Sequence, residues 1–230
     1  MPPEPSRRPT ALVTAPFRGP GVERLRGVAD MVIDPWIEHR PLRLYDAQGL
    51  AERIDQEGAT IVVCEGDTVG GPVFDLPLVA IGSARGDPTN VDVDGATAAG
   101  IPVLHAPGRN ADAVAEMTVG LLLAVTRHLV PADRDVRDGE IYRDGTIPYQ
   151  RFRAWQVAGQ TAGLVGLGAV GRATRWRLEG LGMRVIAADP YAPDATHSLE
   201  DLLAEADVVS LHATVTPETV AMIDRAAIGR

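Results

Sequence analysis

A short apolar run followed at once by three glycines is the feature that most constrains how this chain folds. Residues 161–172 read TAGLVGLGAVGR, in which Gly166, Gly168 and Gly171 have the spacing G-x-G-x-x-G. Because the chain holds 24 glycines in 230 residues, this spacing alone could arise by chance. It indicates a dinucleotide-binding turn only where it joins a strand to a helix.

Both flanks of the glycines have the required patterns. Residues 162–165 are apolar, and residues 169–181 place apolar side chains on one helical face before Gly182. Residues 198–201 (SLED) open another capped helix, and residues 207–211 form a further strand pattern. The glycines therefore lie at a strand-to-helix turn, where exposed N–H groups and the helix dipole can hold a pyrophosphate.

Each residue of this turn then has an expected role. Gly166 makes the tight turn, Gly168 lets the phosphates come close, and Gly171 lets helix and strand pack tightly. A second strand, 184–188, ends in Asp189 at about the 20-residue interval expected for an acid that binds the ribose hydroxyls. We therefore predict an NAD site, and Asp189 favours NAD over NADP because its charge repels the extra phosphate.

Short apolar runs also alternate with helical patterns in the first half of the chain. Buried strands are predicted at 11–15, 31–33, 60–64, 78–82 and 102–105, and helices at 47–57 and 92–99. Such alternation is typical of a parallel sheet with helices on its faces. We predict an α/β protein with one domain over residues 1–107 and a second over residues 108–230.

The longest helical pattern covers residues 111–129, with Asn110 as the predicted N-cap. Apolar side chains cover most of its circumference, so we expect this helix to be buried between domains or between two copies of the chain. Residues 131–158 mix prolines and glycines with charges, which predicts a short helix and a surface connection.

Composition excludes several kinds of site. The net charge of −9 argues against a nucleic-acid partner, and the absence of lysine rules out a lysine nucleophile or a phosphate-binding lysine. Cys64 is the only cysteine, so we expect no disulfide and no thiolate metal cluster, and its strand pattern favours a small core residue. We see no membrane span or signal core, and expect a cytoplasmic protein with no membrane partner and no metal.

Three ordered blocks resemble the D-isomer-specific 2-hydroxy acid dehydrogenases, which include phosphoglycerate, glycerate and formate dehydrogenases. The blocks are residues 84–127, the glycine turn with its following strand, and residues 202–224 (LLAEADVVSLHATVTPETVAMID). The resemblance implies a flavodoxin-like substrate domain followed by a Rossmann NAD-binding domain. It also implies hydride transfer between NAD and a small 2-hydroxy or 2-oxo acid, and a homodimer.

Other roles are implied by this resemblance alone. Ala169 and Val170 would face the pyrophosphate through their backbone, and Ala106 and Ala213 would lie on the nicotinamide side of the cofactor.

The substrate loop departs from the family pattern. The usual glycine-rich run R-x-G-x-G-x-D-N reads SARGDPTN at 83–90, where the resemblance places the backbone of Gly86 and Asp87 against the substrate carboxylate. An Asp87 carboxylate repels an anionic substrate unless it points away, so the substrate stays open. Arg85 is either a further cationic contact or a surface residue.

The arginine, acid and histidine of the family's hydride chemistry follow the last matched block, and neither His212 nor Arg230 fits their motifs. We therefore assign no catalytic residue and expect an N-terminal portion that does not catalyse hydride transfer as given. The alternative is an inactive NAD-binding or sensing module, similar to the corepressors among the family's relatives. His105, His128 and His197 are expected to have structural or solvent roles.

Overall fold

The computed structural model describes residues 8–229, which form two compact units, the first ending at Arg109 and the second beginning at Asn110. Residues 1–7, part of the stretch in which no signal core is predicted, lie outside the described residues, as does Arg230.

The first unit is built on a five-stranded parallel sheet. Strands β1 to β5 are Thr10–Val13, Asp30–Ile33, Ile61–Cys64, Ala80–Ser83 and Val103–Leu104. Their spatial order is β2-β1-β3-β4-β5, with Leu12 of the central β1 opposite Val32 on one side and Val62 on the other. This is the flavodoxin-like strand order, which confirms the predicted fold of the first half.

Within residues 8–109, three α-helices accompany this sheet. They are α1 (Pro20–Val28), α2 (Ala47–Glu57) and α3 (Val93–Ala98). The Asp46 carboxylate caps α2 by accepting the N–H of Gly49, and the Asp92 carboxylate caps α3 by accepting that of Gly95. Leu50 of α2 is fully buried in the core with the strand residues.

Within residues 110–229, the second unit contains a three-stranded parallel sheet and six α-helices. Strands β6 to β8 are Thr161–Val165, Arg184–Ala188 and Val208–Leu211, in the order β7-β6-β8. The helices are α4 (Ala111–Thr126), α5 (Leu129–Arg137), α6 (Pro148–Arg151), α7 (Ala169–Gly180), α8 (Leu199–Glu205) and α9 (Arg225–Ile228). Leu164 of the central β6 packs with Leu178 of α7, and Val165 packs with Leu202 of α8, so β6 is buried on both faces. Two parallel sheets with flanking helices confirm the predicted α/β class.

The single helix predicted over 111–129 is wrong at its C-terminal end. Helix α4 ends at Thr126, His128 adopts left-handed backbone angles (φ 54°), and α5 continues at a bend of 66°. Pro131 explains the break, because proline lacks an N–H and clashes with the carbonyl four residues earlier, so it is tolerated only in a first helical turn. Asn110 occupies the N-cap position, but its side chain makes no capping hydrogen bond.

Helix α4 is buried along one side only. Ala111 and Ala115 are buried, whereas Met117, Leu121 and Val125 are each more than half exposed in the single chain. We call these three residues the α4 surface. Among the described residues, no single helix is long and apolar enough to cross a membrane, and only the bent pair α4–α5 passes that test by length and composition.

The segment after α4 holds more regular structure than the single short helix predicted for residues 131–158. It contains most of α5, a 3₁₀ turn at Arg143–Gly145, and α6. Asp135 of α5 is buried and accepts a 2.9 Å hydrogen bond from Nη2 of Arg151, whose guanidinium also donates to the carbonyls of Ile141 and Thr146. This buried ion pair holds the segment together, because a buried charge is tolerated only when it is paired.

The edge strands of the first unit are less buried than predicted, since Ile33 of β2 is 46% exposed and Leu104 of β5 is 59% exposed. Cys64, in contrast, is fully buried in the core as predicted, and burial raises the pKa of its thiol to about 12.

Candidate dinucleotide-binding site

Backbone contacts require two of the three predicted glycines. Gly166 has φ +96°, and a Cβ atom there would lie 2.7 Å from the backbone nitrogen of Ala213. A Cβ atom at Gly171 would overlap the carbonyl oxygen of Gly166. The turn after β6 can therefore be this tight only with glycine at both positions.

Gly168 differs because, apart from its chain neighbours, no atom of residues 8–229 lies within 4 Å of where its Cβ would be. It is the N-cap of α7, no side chain caps this end, and the first turn contains no acidic residue. The N–H groups of Ala169 and Val170 belong to that first turn, where an α-helix leaves its amide hydrogens without intrahelical acceptors. The open space at Gly168 and the positive end of the helix dipole together suit an anionic phosphate.

Asp189 follows β7 and is held over this turn by backbone hydrogen bonds. Its Oδ2 accepts the N–H of Leu167 at 2.7 Å, and its Oδ1 accepts the N–H of Tyr191 at 2.9 Å. The Leu167 hydrogen bond is the main cause that holds the pKa of Asp189 below its usual range, and the hydrogen bond from Tyr191 and the charge of Arg172 act in the same direction. The carboxylate is therefore ionised and fixed in place at neutral pH.

A cavity of about 610 Å³ opens beside these residues, within the size range of small-molecule sites. Its lining includes Gly166, Gly168, Asp189, Tyr191, Ala213, Thr216 and Glu218. The loop after β8 forms one wall and is fixed by Thr219, whose hydroxyl accepts the N–H of Thr216 and donates to the carbonyl of Thr214, both at 2.7 Å. The cavity thus lies where β6 turns into α7, at the carboxyl end of the sheet, the position at which α/β folds bind ligands.

His212 also borders this cavity. Its ring is half-buried, and burial lowers its pKa. Nε2 lies 3.0 Å from the Ser210 hydroxyl, and its backbone N–H donates to the carbonyl of Val165.

The other histidines considered in the sequence each have a partner. His105 Nδ1 lies 2.7 Å from the Gly86 carbonyl, His128 Nε2 lies 3.0 Å from the Arg153 carbonyl, and His197 lies between Thr196 and Glu205. Across residues 8–229, no three His, Cys, Asp or Glu side chains are grouped as a metal site would require.

The predicted substrate loop lies in the first unit, after β4. Hydrogen bonds join Ser83 to Asn90 at 2.8 Å and Arg85 to Thr89 at 2.6 Å, so Arg85 is engaged within the loop itself. Asp87 is exposed. The backbone N–H groups of Gly86 and Asp87 donate no hydrogen bond to any described residue and so remain available to a ligand.

Ala106, predicted to lie beside nicotinamide, is also in the first unit. Its N–H donates to the Arg85 carbonyl at 2.8 Å.

Sequence reasoning missed two ion pairs near these loops. Arg109 pairs with Glu65, whose carboxylate also accepts the indole N–H of Trp36. Arg172, next to the last glycine of the turn, pairs with Asp194. No motif spacing links either pair, because the partners are far apart in sequence and meet only in the folded chain.

The residues around the glycine turn fit a dinucleotide. An uncapped helix start with open space in front of it suits the pyrophosphate, and the fixed Asp189 carboxylate suits the ribose hydroxyls.

Comparison with known proteins agrees with this geometry. Residues 119–230 match the family described as D-isomer specific 2-hydroxyacid dehydrogenase, NAD binding domain. YoaD of Bacillus subtilis, whose name describes a 2-hydroxyacid dehydrogenase, is 35% identical over 94% of this chain. The chain belongs to the D-isomer specific 2-hydroxyacid dehydrogenase family.

Other members extend the comparison. The D-3-phosphoglycerate dehydrogenase of Mycobacterium tuberculosis is 39% identical over 61% of this chain and is covered over 27% of its own length. The crystal structure of the TT0316 protein from Thermus thermophilus is similar over 91% of this chain and 66% of its own, at a TM-score of 0.75 and 33% identity. The chain spans 64% of the length of YoaD.

Membership of this dehydrogenase family confirms two predictions. The similar structures have the same α/β fold, and the matched family is an NAD-binding domain, which confirms NAD as the cofactor.

Proposed function

We propose that this chain belongs to an oxidoreductase that transfers a hydride between NAD and a small 2-hydroxy or 2-oxo acid. The observation that carries the proposal is the Asp189 carboxylate, fixed by two backbone N–H groups beside an uncapped helix start. NAD supplies the hydride acceptor or donor for such a reaction, and the protein supplies binding and orientation.

The cofactor's charged parts match the residues of the second unit. The N–H groups of Ala169 and Val170 would bind the pyrophosphate, with Gly168 leaving room for it. Asp189 would accept hydrogen bonds from the adenosine ribose and repel a 2′-phosphate. Ala213, in the cavity wall, would face the nicotinamide side.

The loop after β4 would hold the substrate's carboxylate. The N–H groups of Gly86 and Asp87 carry no other hydrogen bond to described residues, which leaves two donors for an anion. The Asp87 side chain is exposed, so its charge need not face the substrate. Arg85 would add a long-range attraction, since its guanidinium is bound to Thr89.

The partner we propose is a second copy of the chain, covering the α4 surface. Exposed apolar residues continue into α5, where Leu129 is 53% and Val130 is 64% exposed. Exposed apolar side chains along two successive helices are typical of protein interfaces. A cytoplasmic location is also proposed, because the buried free thiol of Cys64 fits a reducing compartment.

Light scattering on the Met117→Asp variant tests the dimer. Met117 is the suitable site because its side chain is 63% exposed, whereas Val119 of the same helix packs against the core and would disturb the fold when replaced. We expect a dimer to become a monomer with unchanged circular dichroism, and Glu116→Asp serves as the matched control. A monomeric unmutated chain would contradict the proposal.

Two binding measurements test the function on this chain. NADH fluorescence measures cofactor binding, and a thermal shift of the NADH-bound chain measures binding of small 2-oxo acids. We expect both to be positive, with NADH bound more tightly than NADPH. No NADH binding contradicts the proposed site, and NADH binding without any effect of 2-oxo acids favours a module that binds the cofactor alone.

A further inference from the structure

Arg172 is held by a two-pronged ion pair at the start of α7. Its Nη1 and Nη2 donate to the two carboxylate oxygens of Asp194 at 2.5 and 2.7 Å. Arg175, one turn later on the same helix, approaches the same carboxylate at 3.6 Å and also pairs with Glu179. This parallel arrangement of two hydrogen bonds is the strong geometry for an arginine and a carboxylate.

The paired guanidinium contacts the loop that begins with the predicted ribose acid, because Asp189 and Asp194 both lie between β7 and α8. The hydrogen bond to Asp194 is the largest cause that raises the pKa of the Arg172 guanidinium. The charges of Arg172 and Asp189 also attract each other, which raises the pKa of Arg172 further and lowers the pKa of the Asp189 carboxyl group. Neither Arg172 nor Asp194 lines the cavity that Asp189 borders. Arg172 is therefore a cation at the ribose end of the site, held outside it.

We propose that Asp194 determines cofactor specificity by holding Arg172 away from the position of a ribose 2′-phosphate, and so favours NAD over NADP. The inference rests on the proposed function, because it takes Asp189 as the residue that binds the adenosine ribose.

The chemistry of the two cofactors explains why this pair matters. They differ by one phosphate on the adenosine ribose, and a guanidinium is the side chain best matched to a phosphate because it donates two parallel hydrogen bonds. Asp194 takes up that pair of donors and neutralises the charge. Asp189 alone disfavours the phosphate by repulsion, and Asp194 adds to this by removing the nearby cation that could compensate.

Arg172 can also exchange Asp194 for another anionic partner. The side chains of Arg172 and Asp194 are 50% and 41% exposed, so solvent screens their attraction even though the pairing is two-pronged. Loss of Asp194 would thus free Arg172 without unfolding the chain, so a change of specificity can be measured separately from a change of fold.

The test measures dissociation constants of NADH and NADPH for the unmutated chain and for Asp194→Asn. We expect NADPH to bind roughly tenfold more tightly to the variant, with NADH changed by less than about twofold. Asp194→Glu is the matched control, because it keeps a carboxylate and should keep NADPH binding weak. An unchanged NADPH constant in a folded Asp194→Asn chain overturns the inference.

A double variant distinguishes the effect of the Arg172–Asp194 ion pair from direct repulsion of the phosphate by the Asp194 charge. If Asp194 acts through Arg172, the gain in NADPH binding disappears when Asp194→Asn is combined with Arg172→Gln. The same gain in both backgrounds would overturn the inference, since repulsion by Asp194 alone would then account for it. Failure of the unmutated chain to bind NADH would instead reject the proposed function.

Discussion

The turn after β6 and the loop after β4 both place backbone N–H groups at the carboxyl end of a parallel strand, but different contacts hold them. In the turn, glycines permit backbone to meet backbone, since a Cβ at Gly171 would overlap the Gly166 carbonyl. In the loop, side chains hold the backbone, as in the Ser83–Asn90 hydrogen bond. A Cβ at Gly86 would meet only an ordinary contact, 3.7 Å from the Ala106 carbonyl.

This difference explains why one site could be predicted from the residues alone and the other required a resemblance. Where backbone atoms contact each other so closely that no side chain fits, only glycine is possible. Such a site is therefore recognisable in the sequence as glycines at fixed spacing. A loop held by polar side chains can be built from many different sequences, because several residue pairs can make equivalent hydrogen bonds.

The largest expected effect is that of Gly171→Ala. The new methyl group must displace the backbone of Gly166, which should cost about 3 kcal/mol, the upper end for overpacking, and abolish NADH binding. Gly86→Ala is the matched control, and its free energy of unfolding should change by less than about 1 kcal/mol, since an unstrained glycine-to-alanine change is, if anything, slightly stabilising. Urea unfolding measures both, and equal effects would show that the two loops are not held differently.

Gly168→Val should abolish cofactor binding while leaving the fold intact. The position has space for a side chain and negative φ (−72°), so the strand and the helix are not disturbed. The same space is where the phosphates would lie. Circular dichroism should match the unmutated chain while an NADH titration shows no binding, and retained binding would mean that this turn does not hold the pyrophosphate.

Asp189→Ala should weaken NADH binding about ten- to a hundredfold, because a charge-assisted hydrogen bond contributes roughly 1.5–3 kcal/mol. Asp189→Asn keeps an oxygen acceptor for the N–H of Leu167 and should lose less. Calorimetry gives both constants. If the unmutated chain bound NADH and NADPH equally well, Asp189 would not be the residue that binds the ribose hydroxyls and repels a 2′-phosphate.

The same residue predicts a pH dependence. Since hydrogen bonding lowers the pKa of Asp189 in the folded chain, its stabilising contribution is complete above the unfolded value of about 3.9 and is lost as the pH falls through the lower folded value. The difference in unfolding free energy between unmutated chain and Asp189→Asn should therefore be constant from neutral pH to about pH 5 and shrink below about pH 4. A difference that shrinks near neutral pH would contradict this assignment.

Asn90→Ala should have the smallest effect, confined to the loop after β4. It removes hydrogen bonds to Ser83 and to the Asp67 carbonyl, which should cost about 1–2 kcal/mol of stability. NADH binding should not change, because the glycine turn and Asp189 are in the other unit. Thr89→Ala, which removes only the exposed hydrogen bond from Arg85, is the comparison variant and should cost less. Weaker NADH binding by Asn90→Ala would contradict the independence of the two loops.

The sequence predicts a helix correctly where residues in or next to that helix mark its start and its end. Helix α2 begins and ends as predicted because Asp46 caps it and Gly58 ends it in a left-handed conformation. Helix α1 was missed, since it contains two glycines and buries no residue. The end of α4 was misplaced because Pro131 was treated as part of the next segment and not as the cause of a break.

The same distinction holds at the candidate site. The glycines and Asp189 follow from spacing along the chain. The partner of Arg172 does not, because Asp194 meets it only after β7 has been placed beside β6.

The burial of Cys64 has a practical consequence for studying this protein in solution. A thiol with a pKa of about 12 is almost entirely protonated at neutral pH, and the thiolate is the form that reacts with maleimides. A cysteine introduced at the exposed Tyr191 would then be the one readily labelled sulfhydryl in the chain. A fluorophore attached there would report on the mouth of the cavity without removal of any native residue from the core.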